Sequence, residues 1–204
     1  MYPEVTALVL AAGSSRRMGR SKQLLPVNGR PAVKACVAAI LDAGINDVIV
    51  VIGPRGQEIA SVLDGLPVRI ATNQDPEGDM AGSVRAGLAE AAAASTAVLV
   101  CLADHPLVFA DTIRSLLQVH ADAPDRIIIP SFQGRRGHPT LFPSKILRTI
   151  HALPTLRDVI AQHKGRELLC DVPDDGVILD MDTPRDYEAI LERAASRAPA
   201  TRQG

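Results

Sequence analysis

Residues 5–10, 47–52, 97–102 and 126–129 form four short runs that are apolar at nearly every position and rich in valine, leucine and isoleucine. A half-exposed strand would alternate, so continuous runs of this length predict strands covered on both faces, as in parallel sheets. Between them, apolar residues recur at helical spacing over 32–43, 57–63, 80–94 and 112–119. That order predicts βαβ units with right-handed crossovers, and hence a three-layer α/β/α domain around a mostly parallel central sheet. Weaker patterns predict strands over 67–71 and 139–142 and helices over 143–151 and 156–162. A last helix opens at Pro184, behind the cap oxygens of Asp182 and Thr183 and with Asp186 in its first turn. One domain is expected over residues 1–196, with a polar tail at 197–204.

In such sheets ligands meet the loops that leave the carboxyl ends of the strands. The informative loops therefore follow Leu10, Ile52, Leu102 and Ile129. After Leu10 the chain reads Ala11-Ala12-Gly13-Ser14-Ser15-Arg16-Arg17-Met18-Gly19-Arg20-Ser21-Lys22. Small residues let backbone N–H groups approach an anion, and Arg17 and Lys22 add positive charge. A basic surface turn is the alternative. The spacing is neither GxxxxGK[ST] nor GxGxxG, which excludes both of those phosphate loops.

Asp104 follows the apolar run 97–103 directly, where a carboxylate could hold a divalent cation against phosphate oxygens, or be a simple loop Asp. Asp180 and Asp182, two residues apart, face one side if their segment is extended; alternatively Asp182 caps the final helix. Asn73, Gly78 and Ser83 lie in a polar, Gly-containing stretch that opens a helix, and could read a base edge or serve as loop and cap. Gly134 to Pro139 (GRRGHP) is either a second anion-receiving loop, through Arg136, Gly137 and His138, or a solvated turn. His120, His151 and His163 read as helix-surface residues, and no histidine has zinc-ligand spacing.

Composition narrows the partners. With 23 acidic and 22 basic residues among 204, the net charge of −1 disfavours generic nucleic-acid binding. Aromatics make up only 2% of the chain and tryptophan is missing, so base recognition must rely on backbone and small polar groups. Cys36, Cys101 and Cys170 lie far apart without a CxxC pair, which argues against a disulfide framework and for a reducing, cytoplasmic setting. Glu4 stands where a signal peptide would carry positive charge, and no run reaches the ~20 apolar residues of a membrane span.

LAAGSSRRMGRSKQLLP, residues 10–26, resembles the LAAGxSxRMGxxKxLLP signature of the nucleotidyltransferase family that includes the molybdenum cofactor cytidylyltransferases and guanylyltransferases. Further landmarks follow in the family's order: Gly78, Met80 and Ser83; Asp104 and Pro106; GRRGHPTLF at 134–142; and DMDTPRDY at 180–187. The similarity spans residues 4–192 and implies a Rossmann-like nucleotidyltransferase fold. It also implies that Leu10, Ala11, Ala12 and Gly13 meet the nucleotide, that Arg17 and Lys22 hold the triphosphate, and that Asn73, Gly78 and Ser83 meet the base. Asp104 would be the main Mg²⁺ ligand, completed by Asp182 or Asp180, and His105, Arg136, Gly137 and His138 would face the acceptor. Ala11-Ala12-Gly13 is similar to the cytidylyl branch, where guanylyl relatives carry Ala-Gly-Gly, and so implies CTP. The implied reaction is CMP transfer to molybdenum-loaded molybdopterin, with an apo-molybdoenzyme or its maturation chaperone as the onward partner. GTP-dependent guanylyl transfer, transfer to a sugar phosphate, and a non-catalytic cofactor carrier are the alternatives. His105 departs from the family, which often has Met or Gln there.

Overall fold

Leu8 and Val9 explain why the apolar runs are continuous: both are fully buried, but they pack into different layers. The computed structural model describes residues 4–13, 18–75 and 79–197. In it β1 (Val5–Leu10), β4 (Asp47–Ile52), β5 (Arg69–Thr72) and β6 (Ala97–Leu102) run parallel as neighbours, and β7 (Ile127–Phe132) pairs in parallel with β10 (Glu167–Asp171). Between these groups lies β9 (Thr140–Pro143), antiparallel to both β6 and β7, so the strand order is β10-β7-β9-β6-β1-β4-β5. Two-residue strands complete the picture: β2 (Pro26–Val27) pairs with β3 (Arg30–Pro31), and β8 (Arg135–Arg136) folds back on β7.

One face of the sheet is covered by α1 (Ala32–Asp42), α2 (Gln57–Val62) and α4 (Ala110–Asp122), through Val37, Ile40, Ile59 and Leu116. The other face is covered by α3 (Met80–Glu90), α5 (Ser144–Leu147) and α6 (Leu156–Gln162), through Val84, Leu88, Leu147 and Val159. This is the expected three-layer, mostly parallel arrangement. The closing helix α7 (Pro184–Arg197) packs Ile190 and Ala194 on a separate cluster with Val27, Leu107 and Met181.

Several elements differ from expectation. The strand expected to end at Ile129 continues through Pro130 to Phe132, where β8 pairs with it. Residue 91 is extended, so α3 stops at Glu90 and the alanines beyond do not prolong it. The expected helix over 143–151 is split into α5 and a 3-10 turn, Arg148–Ala152. His120 is not a surface residue: it is 1% exposed, because it continues the Ile113, Leu116, Leu117 stripe that α4 turns to the core. Burial lowers its pKa.

The last turn of α7 is fastened by charge. Asp174, 2% exposed, accepts from Phe109 N at 2.9 Å, Thr112 Oγ1 at 2.8 Å, Gly176 N at 2.9 Å and Arg197 Nη2 at 2.8 Å. Arg197 also lies over the Phe109 ring, 4.4 Å from its centroid, and donates to Leu107 O. Arg197→Ala is expected to destabilise the fold by about 2–3 kcal/mol, since it removes the counter-charge of a buried carboxylate that keeps its other three donors. A lower urea midpoint at unchanged slope checks this; an unshifted midpoint would show that the pair contributes nothing net.

Candidate functional site

From β1 the chain goes one way to β4 and β5, then returns to β1's other side at β6. Such a reversal opens a crevice at the carboxyl ends of the two strands. Here those ends are Leu10 and Leu102, paired in register. Ala11 N donates to Val51 O at 2.8 Å and Ala103 N to Leu10 O at 3.2 Å, so the two exiting loops start side by side.

Between the loops lies a cavity of about 150 Å³. Of the expected residues, Leu10, Ala12, Gly13, Lys22, Ser83 and Asp104 line it. Gly53 shows how close the chains come, since a Cβ on it would sit 3.3 Å from Ala12 O. Gln23, which the sequence does not single out, is 2% exposed and donates from Nε2 to Gly13 O at 3.1 Å. Ser21 Oγ donates in turn to Gln23 Oε1 at 2.9 Å, so the 3-10 turn Lys22–Leu24 braces the loop after β1. The only hint in the sequence is a polar residue between Lys22 and the Leu24-Leu25 pair. Arg17, together with residues 14–16, lies outside the described residues, as does Gly78.

Three side chains far apart in sequence meet at one edge of this cavity. Lys22 Nζ donates to Asp104 Oδ2 at 2.5 Å and to Asp182 Oδ1 at 2.7 Å. Met181 N donates to Asp104 O at 3.1 Å, which ties the 180–182 segment to the β6 loop. Burial alone would raise the Asp104 pKa, but His105 and Lys22 outweigh it and hold the carboxyl well below the usual range. Burial would lower that of Lys22, but Asp104 and Asp182 reverse this and leave it raised. Asp182 does not cap α7: Thr183 Oγ1 accepts from Asp186 N at 3.2 Å, while Asp186 Oδ2 accepts from Thr183 N at 2.8 Å. This reciprocal cap leaves Asp182 for Lys22. Asp180 is exposed and joins neither contact, so Asp182 is the carboxylate next to Asp104.

Asn73, expected at the nucleotide, does not itself line this cavity: its N donates to Ile52 O at 2.9 Å and its Nδ2 to Oγ of the lining residue Ser83 at 3.2 Å. Asp79 caps α3 by accepting from Gly82 N at 2.7 Å. A Cβ on Gly82 would lie 3.1 Å from Asn73 Nδ2, so the small residue lets α3 come close to Asn73. Met80, 46% exposed, flanks Ser83 at the cavity.

The GRRGHP segment divides. Arg135 and Arg136 are exposed in β8. Gly137 and His138 turn inward, with Gly137 N bonded to Pro130 O at 2.9 Å and His138 N to Val177 O at 2.8 Å. The His138 ring meets the His105 ring edge-on, 5.3 Å between centroids. Burial and the neighbouring His105 push its pKa down to about 4, so it is neutral at pH 7. Both rings line a cavity of about 20 Å³ with Cys36 and Cys101, separate from the one beside Lys22.

Two carboxylates converging on one ammonium mark a point that suits a hard divalent cation, whose preferred ligands are oxygens. Among the described residues no group of three or more acidic, His or Cys side chains could hold a metal. Asp104 and Asp182 alone fall short of a full ligand set, so a cation there would need its remaining ligands from phosphate oxygens and water.

Residues 7–171 match the family model of the MobA-like NTP transferase domain. The chain is 32% identical over 201 residues to nicotine blue oxidoreductase of Paenarthrobacter nicotinovorans, covering 93% of this chain and 97% of that protein. Among solved structures it is similar to a nucleotidyl transferase from Methanothermobacter, with TM-score 0.84, 25% identity and coverage of 95% and 98%. It is also similar to Rv0371c of Mycobacterium tuberculosis in complex with manganese, with TM-score 0.76, 27% identity and coverage of 94% and 100%.

Proposed function

The chain belongs to the family of MobA-like NTP transferase domains and is a nucleotidyltransferase, and from that premise we propose that it transfers CMP from CTP to the phosphate of molybdenum-loaded molybdopterin. The observation that carries the reading is the meeting of Lys22, Asp104 and Asp182 beside the small-residue loop Ala11 to Gly13, at the switch point of the sheet. The acceptor phosphate is already anionic, so it attacks the α-phosphorus without a general base. An oxygen–phosphorus bond forms, and the bond to the leaving oxygen breaks with its electron pair going to pyrophosphate. The protein must align the two and neutralise the growing charge.

The backbone of Ala11, Ala12 and Gly13 approaches the phosphates, where a larger side chain would obstruct it. Asp104 and Asp182 would hold a divalent cation, Mg²⁺ in this proposal, which when bound neutralises and orients the triphosphate. Lys22, released from the carboxylates, donates to the phosphate oxygens, together with Arg17. Asn73 and Ser83 face the base, and the Ala12 position favours cytosine. The onward partner in this reading is an apo-molybdoenzyme or its maturation chaperone. No helix among the described residues is long and apolar enough to cross a membrane.

The test is pyrophosphate release with Mg²⁺, offering CTP, GTP, ATP and UTP in parallel, each with molybdenum-loaded molybdopterin, with a sugar phosphate, or alone. Release that needs both CTP and the molybdopterin supports the proposal. Release with GTP moves the reading to guanylyl transfer, and release with the sugar phosphate replaces the acceptor. The name of the relative from Paenarthrobacter raises one competing reading, a redox reaction of nicotine blue, which a change in that compound's absorbance on incubation with the protein would reveal.

Lys22→Ala is expected to cut the rate on the order of 10²-fold and to raise the KM for CTP, with the circular dichroism spectrum unchanged. An unaltered rate and KM would remove Lys22 from the site.

A further inference from the structure

We propose that His105 is a positioning residue for Asp104, fixing the carboxylate that the proposed function assigns to the metal, and that His138 holds the His105 ring in place. This rests on that reading of Asp104. The two carboxylate oxygens have different partners: Oδ2 accepts from Lys22 at 2.5 Å and Oδ1 meets His105 Nδ1 at 3.1 Å. Because a carboxylate only accepts, Nδ1 is the protonated nitrogen of His105 in this contact.

Lys22 cannot be the lasting constraint on Asp104, since in the proposed reaction it turns to the phosphates. His105 can. Its side chain is 9% exposed, its backbone N donates to Leu102 O at 3.2 Å, and its ring is walled by the apolar lining of the small cavity around Cys36, Cys101 and Ile113. His138 closes the remaining side at 69° to the ring. That wall is itself rigid: the residues on either side of the Gly137–His138 bond are tied to Pro130 O and Val177 O. Asp104 thus keeps Oδ2 toward the cavity after the lysine leaves. Hydrogen bonds that orient metal-binding carboxylates typically change metal affinity or activity by 10- to 100-fold when removed.

The experiment compares wild type, His105→Met, His105→Gln and Asp104→Asn. Mn²⁺ binding is read by the loss of the free-ion electron paramagnetic resonance signal in the presence of CTP, alongside pyrophosphate release. Methionine fills the volume without a donor, whereas glutamine restores an N–H. The expected result is 10- to 100-fold weaker Mn²⁺ binding for His105→Met, with most of the loss recovered in His105→Gln and melting temperatures within a few degrees of each other. Equal Mn²⁺ affinity for wild type, His105→Met and His105→Gln, while Asp104→Asn loses binding, would overturn the role of His105 and leave the metal reading standing. Wild type indistinguishable from Asp104→Asn would overturn both. Nitrogen-15 spectra of the wild type give a check that needs no variant: a protonated Nδ1 on His105 is expected, and an unprotonated one would end the proposal.

Discussion

Asp104→Ala is expected to lower the rate of pyrophosphate release by about 10²-fold or more, the equivalent of several kcal/mol of transition-state stabilisation. The side chain stands at the junction of every part of the site: beside Lys22, 3.1 Å from His105, and anchored through its backbone oxygen to Met181 at 3.1 Å. Deleting it removes a charged oxygen donor and leaves the Lys22 ammonium and the His105 ring turned toward an empty space. Asp104→Asn separates charge from shape, because its amide oxygen can still accept from His105 while the negative charge is gone. If charge matters, Asn is nearly as damaging as Ala, and raised Mg²⁺ recovers little of either. Near wild-type turnover of both variants in saturating Mg²⁺ would sink the metal assignment. Asp180→Ala is the internal contrast: that residue is exposed and outside the Lys22 contacts, so its loss should leave the rate within a few-fold.

The same cluster limits what pH can do. Asp104 has a folded pKa below its unfolded value of about 3.9, so its pairing stabilises above that value and is lost as pH falls through the folded pKa. Lys22 has a folded pKa above its unfolded value of about 10.4, so its contribution is complete below that value and fades as pH rises through the folded pKa. Between about pH 5 and 9 both stay charged. A rate that bends in this window must therefore report some other group, such as the acceptor phosphate.

How much of this can be read from the sequence follows from what leaves a trace in it. β1, β4 and β6 are covered on both sides, which forces apolar residues at consecutive positions and makes the strands visible. β10 has no such signature: at one sheet edge it leaves Leu169 44% exposed and reads as ELLCD. The two-residue strands β2, β3 and β8 are too short for any period to register. His120 misleads because a polar residue ending an apolar stripe looks like the solvent side of the helix until its neighbours are known. At the site, Lys22, Asp104 and Asp182 each stand out as chemistry placed after an element. Their contact, across 82 and 160 residues, requires the sheet order. Asp182 as cap or as ligand is open in the sequence; the Thr183–Asp186 pair takes the cap, and the Asp182 carboxylate meets Lys22. His105 looks like a loop residue facing an acceptor, whereas its ring turns inward beneath Asp104.

Gly137→Ala is expected to destabilise the protein by about 4 kcal/mol or more, a melting-temperature loss on the order of 10 °C for a chain of this size. A Cβ on Gly137 would lie 2.2 Å from Val177 O, 2.7 Å from Val177 C and 2.9 Å from Val177 Cβ. Two of these atoms belong to backbone, which cannot swing aside like a side-chain tip. Nor can the segment retreat, because Gly137 N is bonded to Pro130 O at 2.9 Å on one side and His138 N to Val177 O at 2.8 Å on the other. The same loop supplies the control. Gly134 has φ +78°, and a Cβ added there would meet nothing within 4 Å, so Gly134→Ala brings backbone strain of about 1–2 kcal/mol and no collision. A wide gap between the two melting temperatures is therefore the expected outcome, and equal, small losses would show that Val177 does not press on this turn. Where Gly137→Ala does fold, the displaced segment carries His138 away from His105. Its Mn²⁺ affinity should then fall toward that of His105→Met, which links a glycine that the packing demands to the carboxylate proposed for the metal.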